Sequence, residues 1–181
     1  MRVSKEQAAR NRERILRAAS GLMRERGIAG VGVDALAEAA GMTHGSLYSQ
    51  FGSKERFVEE AVAYAISAKA QELPDVFTLD DYKSEYLSAA HRDTPATGCI
   101  LSALCSEMPR QGKAVRERFT AGVRDMIALL SSRMDANKQR QRDKALAAVA
   151  SMVGALVLAR AVNDPELSDD ILRATRAELG D

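Results

Sequence analysis

The sequence predicts an all-α fold of about nine helices, in which an N-terminal three-helix module precedes a larger C-terminal helical bundle. Three observations predict it. Apolar residues recur three and four positions apart along most of the chain, as in Ile15, Ala19 and Leu22. The apolar fraction, 46 % of 181 residues, includes only four Phe, four Tyr and no Trp, so the core must be built from Ala, Leu, Val, Ile and Met. Runs of β-branched residues with period-two alternation, the mark of strands, are missing. A chain of this length buries roughly 70 % of its unfolded surface, enough for a real core.

The elements follow in order. Ser4 and Gln7 resemble a capping box ahead of a first helix that carries Ile15, Ala19 and Leu22 on one stripe, with Leu16 and Met23 beside it, and that ends at Gly27. A short helix from Val33 to Ala40 stops at Gly41. Thr43 caps the next, which runs to about Gln50, and Phe51 and Gly52 break the chain again. Ser53 caps a long helix to about Ala70 whose buried side is Phe57, Ala61, Tyr64 and Ala65. Thr78 and Asp81 open a helix to about Ala90, and His91 to Gly98 reads as a loop. Four further helices are expected at Cys99–Met108, Lys113–Met134, Gln141–Asn163 and Ser168–Leu179, separated by Pro109, the polar Asp135–Gln139 stretch and Pro165. The division falls between residues 1–52 and residues 53–181.

Charge and composition narrow the function. Lys and Arg exceed Asp and Glu by one, 26 against 25, so only the distribution of charge is informative. Before Gly27 the bases Arg2, Lys5, Arg10, Arg12, Arg14, Arg17, Arg24 and Arg26 outweigh Glu6, Glu13 and Glu25. Each of these arginines is either a phosphate contact or part of a solvated helix face. The charge-free run between Lys144 and Arg160 is shorter than the roughly 20 residues of a membrane span, and no signal-peptide core precedes the first helix, so a cytoplasmic location without a membrane partner is expected. Two cysteines, Cys99 and Cys105, fit a reducing compartment. A helical-bundle enzyme is opposed: neither His44 nor His91 has a Glu three residues before it, and zinc spacings, phosphate loops and nucleophile elbows are missing. No catalytic residue, metal or cofactor is expected.

The stretch that carries chemistry is Val33 to Lys54, VDALAEAAGMTHGSLYSQFGSK. Two short helices meet at a Gly-containing turn, which is the spacing of a helix-turn-helix. Leu36, Ala37 and Ala40 hold the first inward, and Leu47 and Phe51, four apart, anchor the second. Gly45 and Ser49 then face outward, flanked by His44, Ser46, Tyr48 and Gln50. Such a face suits a major groove of double-stranded DNA. Gln50 and His44 reach base edges, Thr43 and Ser46 bond bases or phosphates, and Gly45 lets the backbone approach. Tyr48 offers its hydroxyl to a phosphate, and Lys54, in the first turn of the long helix, joins its ammonium to free backbone N–H groups for another.

The stretch GIAGVGVDALAEAAGMTHGSLYSQFGSKERF resembles the N-terminal signature of the TetR family, with its Gly turn, Leu-Tyr pair, aromatic residue and Ser-Lys step in this order. The resemblance covers about Arg10 to Tyr64. It implies a ligand-responsive DNA-binding transcriptional regulator, by family default a repressor, that binds a palindromic operator as a dimer and is released by a small-molecule inducer. It also implies that Thr43, His44, Ser46, Tyr48, Gln50 and Lys54 occupy DNA-contacting positions. Gly32 departs from the pattern, because it stands where the family usually has a Thr or Ser cap.

The body is then expected to sense and to pair. Ala145, Val149, Met152, Leu156 and Val157 form an apolar stripe that a monomer would have difficulty covering. With Ile171, Leu172 and Leu179 of the final helix it suggests a homodimer through the last two helices; the alternative is an ordinary core helix. Ala148 and Gly154 permit close approach. Tyr64, Phe119, Met126 and Met152 either line an inducer pocket or serve as plain core, and Cys99 and Cys105 belong to the same candidate set. Gly98-Cys99 is similar to a Gly-Cys step in one branch of the family, where a thiol senses oxidants or electrophiles. The alternative is a small buried hydrophobe. Six residues along a helix span about 9 Å, beyond the ~7 Å reach of a disulfide, so the two cysteines do not join without unwinding.

Overall fold

The computed structural model describes residues 5–74, 77–134 and 138–180. It is helical throughout, with ten α-helices and two short 3-10 turns among the described residues. The first three helices are α1 (Lys5–Arg26), α2 (Val33–Ala39) and α3 (His44–Phe51). The body contains α4 (Lys54–Glu72), α5 (Leu79–Tyr86), α6 (Ala89–Asp93), α7 (Ile100–Leu104), α8 (Lys113–Ser131), α9 (Lys138–Ala161) and α10 (Pro165–Glu178). The 3-10 turns are Pro95–Thr97 and Met108–Arg110. Helix α4 is the spine: it packs on α1 to one side and on α8 to the other, α8 leads to α9, and α9 to α10.

Local chemistry explains most boundaries. Helix α1 ends where Gly27 takes φ 74° and its N–H closes on the Met23 carbonyl at 2.8 Å. Its Ile15, Leu16, Ala19 and Met23 are buried, whereas Leu22 is half-buried. The expected Ser4 cap lies outside the described residues, as do residues 135–137 of the polar stretch. Ser53 caps α4 by accepting the Arg56 N–H at 3.1 Å. Along α4, Phe57, Val58, Ala61, Val62 and Ala65 are buried, but Tyr64 is only half-buried, because its hydroxyl accepts a hydrogen bond from Arg17 Nε at 3.0 Å at the surface.

Three expectations are corrected. The helix predicted to run to Ala90 stops at Tyr86, and the region read as a loop contains α6, because Ser88 accepts the His91 N–H at 3.1 Å and starts a new helix. The helix predicted over Cys99–Met108 shrinks to Ile100–Leu104, followed by the 3-10 turn at Pro109. The last helix begins three residues before Ser168, because Asp164 caps the Glu166 and Leu167 N–H groups at 3.0 and 3.1 Å and Pro165 sits at the first helical position, where no N–H is needed. The first of these changes, the added helix α6, raises the count from nine to ten.

The stripe on α9 is also corrected. Ala145, Val149, Met152 and Leu156 are buried within the chain itself, under α7, α8 and α10, and Val157 is half-buried. What remains uncovered is a different face: Leu146 is 41 % exposed, Leu158 57 % and Leu167 of α10 47 %. Ala147, Ala150 and Ala161 are exposed as well, and a Cβ on Gly154 would meet nothing within 4 Å. Helix α9 is therefore apolar on both sides. By length and composition its Arg140–Ala161 part is apolar enough to cross a membrane, and one side of it forms the core of the body.

Candidate nucleic-acid interface

The geometry of α2, its turn and α3 follows from a few local contacts. Gly32 caps α2 through its extended backbone alone, with no side-chain bond. Gly41 adopts φ 65°, which lets the Met42 N–H reach back to the Ala37 carbonyl at 2.8 Å and redirects the chain. Thr43 and Ser46 then form a reciprocal capping box: the Ser46 N–H donates to Thr43 Oγ1 at 3.2 Å, and the Thr43 N–H donates to Ser46 Oγ at 2.9 Å. Leu47 and Phe51 are 0 % and 1 % exposed, and burial of each contributes about 1.5–3 kcal/mol. The Phe51 ring lies 4.5 Å from that of Phe57 and 4.4 Å beneath the Arg12 guanidinium, which is itself paired with Glu60 of α4.

With those anchors inside, Thr43, His44, Gly45, Tyr48, Ser49 and Gln50 are exposed on one surface, and Ser46 is half-buried. A Cβ on Gly45 would meet nothing, so the backbone there is open to approach. The side chains are not equally available. The Ser46 hydroxyl is engaged with Thr43, and Thr43 Oγ1 with Ser46, so both serve the cap first. His44 Nδ1 lies 2.6 Å from Asp34 Oδ1 of α2, and its ring stacks on Tyr48 with centroids 5.2 Å apart. Lys54 gives one ammonium N–H to the Val31 carbonyl at 2.9 Å, which ties α4 to the chain ahead of α2. Its other two N–H donors are not engaged by a described residue.

Several N-terminal arginines are paired within the chain. Arg10 faces Glu6 at 3.6 Å, Arg17 bonds Glu13 at 3.0 Å, and Arg24 Nε donates to the Ala96 carbonyl at 2.6 Å. Sequence reasoning missed two residues. Asp34 orients His44 across ten positions, and Glu107 of the body accepts the Ile28 and Ala29 N–H groups at 3.1 and 2.8 Å. Neither has a sequence signal, because each pairs elements that only the fold brings together. The Glu107 contact fixes the turn after α1 against the segment that follows α7.

Two cavities flank α4. One, of about 480 Å³, lies between α4, α5, α7 and α8 and is lined by Ile66, Tyr82, Cys99, Met126 and Leu129, among others. The other, of about 560 Å³, is a cleft between α1 and α4 that includes Arg17, Arg24, Tyr64, Lys69 and Glu72. Of the side chains considered from sequence, Cys99 and Met126 face the first cavity and Tyr64 the second. Phe119, Cys105 and Met152 line neither; Met152 is fully buried core, and Phe119 and Cys105 are half-buried. Both thiols are free, and burial pushes that of Cys105 up, which disfavours its reactive thiolate.

A hydrogen-bonded network reaches Cys99 of the first cavity's wall. His91 Nδ1 donates to the Tyr86 carbonyl at 2.7 Å, and its Nε2 accepts the Cys99 N–H at 2.9 Å, an arrangement that requires neutral imidazole. Burial accordingly pulls the His91 pKa down. Arg160 of α9 donates to the Arg92 and His91 carbonyls at 3.0 and 2.6 Å. The Tyr86 hydroxyl is buried without a hydrogen-bond partner among the described residues, and burial pushes its pKa well up.

Known proteins share both the motif and the fold. Residues 15–61 match the model of the bacterial regulatory proteins of the tetR family. The HTH-type transcriptional repressor NemR of Escherichia coli strain K12 is 26 % identical over 137 residues, which cover 71 % of this chain and 69 % of that protein. The crystal structure of the reduced form of E. coli NemR superposes with a TM-score of 0.76 at 23 % identity, covering 94 % of this chain and 95 % of that one. A TetR-family regulator from Agrobacterium tumefaciens gives 0.76 at 19 % identity, covering 94 % and 97 %. The matched segment spans the helix-turn-helix described above, so the chain carries the N-terminal DNA-binding domain of the TetR-family transcriptional regulators, on a fold that these regulators share.

Proposed function

We propose that this regulator is a repressor that binds a palindromic operator as a homodimer and lets it go when a small molecule occupies the body. The observation that carries the reading is the exposed polar face of α3, held outward by the fully buried Leu47 and Phe51. On this reading residues 1–52 read DNA in the cytoplasm and residues 53–181 sense and pair. Gln50 and His44 address base edges, with Asp34 setting the His44 ring, while Gly45 and Ser49 leave the backbone accessible. Tyr48 and the two unengaged Lys54 donors take phosphates, and Thr43 and Ser46 add contacts from the helix N-terminus that their capping box holds in place.

Dimerisation uses the uncovered face of α9 and α10, centred on Leu146, Leu158 and Leu167. Small residues there, Ala150 and Gly154 among them, let two helices approach closely. Two copies then present two α3 helices to successive major grooves, about 34–36 Å apart. That E. coli NemR is described as a repressor supports blocking over activation.

The inducer enters the cavity beside α4. Because α4 also packs on α1, a ligand that prefers one setting of α4 by 1–3 kcal/mol changes DNA affinity by about 5- to 150-fold. Selection of random duplexes by the purified protein tests the reading. A palindrome with half-sites about one helical turn apart is expected, and an asymmetric single site would contradict the dimeric reading.

Thiol sensing at Cys99 is a second reading, favoured by its place on the cavity wall and by the unpartnered Tyr86 hydroxyl nearby, which would donate to an oxidised sulfur. If Cys99→Ser releases DNA in peroxide or electrophile as readily as wild type does, that reading fails.

A further inference from the structure

The two cavities beside α4 are neighbours with unlike walls. They share Ala65, Ser67, Lys69 and Gln71. The first is apolar over most of its surface, with Ile66, Ile100, Leu101, Met126 and Leu129 contributing. The second carries the cations Arg17, Arg24 and Lys69 against the carboxylates Glu13 and Glu72.

Within the cleft the charges pair off, with one left over. Arg17 bonds Glu13 at 3.0 Å, and Lys69 bonds Glu72 at 3.3 Å. Arg24 is the remainder. Its Nε is spent on the Ala96 carbonyl, and no described residue accepts a hydrogen bond from its terminal nitrogens. The side chain is half-buried, and burial pulls its pKa down against the field of Glu72. A guanidinium removed from water without a bonded anion is costly, and its planar fork matches a carboxylate.

We infer that the two adjoining cavities form one bipartite site for an amphipathic monoanion, with its apolar body between α4, α5, α7 and α8 and its carboxylate on Arg24 in the α1–α4 cleft. The inference rests on the effector reading above and gives it a chemical class. Cations exceed carboxylates in the cleft by one, so a single negative charge is neutralised, while a dianion would meet Glu13 and Glu72 uncompensated. A cavity of about 480 Å³ falls in the roughly 300–1,000 Å³ range of small-molecule sites. Such a ligand would touch α1 of the reading module and α4 of the body together, so its affinity would depend on how the two helices sit.

The probes are decanoate, decanol and decylamine, titrated into the full-length protein by calorimetry, with release from the selected operator followed in parallel. Decanoate is expected to bind at least tenfold more tightly than decanol, with decylamine weakest. Arg24→Gln should abolish the preference by weakening decanoate alone, and Arg24→Lys, which keeps the charge, should retain most of it. If Arg24→Gln does not fold, Lys69→Gln serves in its place with a smaller loss expected. Equal binding of decanoate and decanol, an unchanged preference in Arg24→Gln, or no binding by any of the three overturns the bipartite site. Arg24-dependent binding of decanoate without loss of operator would uphold the site and sink the effector reading. Release by decanol as readily as by decanoate would do the reverse.

Discussion

The segment from Val33 to Lys54 and the helix pair α9–α10 solve opposite problems. In the first, Leu36, Leu47 and Phe51 are buried inside the module, and the polar residues are left, with Tyr48, on an outer surface a few side chains wide. In the second, α9 has more apolar surface than its own chain covers: one side is core and the other carries Leu146 and Leu158 exposed. A helix that buries all its apolar residues and shows polar ones is finished by folding and free to read a polar ligand such as DNA. A helix apolar on both sides is finished only by association. On the proposed reading, the fold separates the surface that reads DNA from the surface that pairs two copies.

The contrast can be broken at several points. The largest effect is expected from Phe51→Ala, which empties a fully buried site shared with Phe57 and Arg12. It should cost about 3–5 kcal/mol, seen as a lowered denaturation midpoint and loss of DNA binding. Leu158→Glu places a charge on an exposed position, so the protomer should keep its helicity. Sedimentation should nevertheless show dimerisation weakened or lost, and operator affinity should fall with it. An unchanged oligomeric state would mean that α9 is covered by some other partner. Thr43→Ala removes the cap of α3 and should cost about 1 kcal/mol in chemical denaturation, because the Ser46 N–H loses its acceptor.

The smallest effect is a pH dependence in the body. His91 is held neutral, with a folded-state pKa below the ordinary 6.5, so below that value the unfolded chain binds the proton more readily than the folded one. Stability is therefore full above pH about 6.5 and declines as pH falls toward the folded-state pKa. Asp81 and Asp93, whose pKa values are lowered by bonds from Thr78 and Arg92, act in a separate window below the ordinary 3.8. Denaturation midpoints taken between pH 7 and 5 should fall for the wild type and stay flatter for His91→Gln.

The N-terminal half was legible because its signals are local. Gly27, Gly41, Thr43, Ser53 and the Leu47–Phe51 spacing each act within one turn, and each element they delimit is found within two residues of its expected bounds. The break between α5 and α6 was missed because the Ser88 cap lies inside a stretch otherwise read as a helix end running into a loop. On α9 the reading went wrong for a physical reason: a helix apolar on all sides has no phase, so periodicity cannot say which stripe turns inward. The contacts that couple regions were invisible. His44 with Asp34, Glu107 with the turn after α1, and Arg24 with Ala96 link residues that only folding brings together.

The central claim, that the outward face of α3 selects a DNA sequence, is tested most directly by titrating wild type and Gln50→Ala against the selected operator and a scrambled duplex at fixed salt. The account predicts that Gln50→Ala loses about 1–3 kcal/mol of preference for the operator while its binding to the scrambled duplex is unchanged. An operator preference that survives intact, together with survival in Tyr48→Phe and His44→Ala, would contradict it and place recognition elsewhere on the molecule.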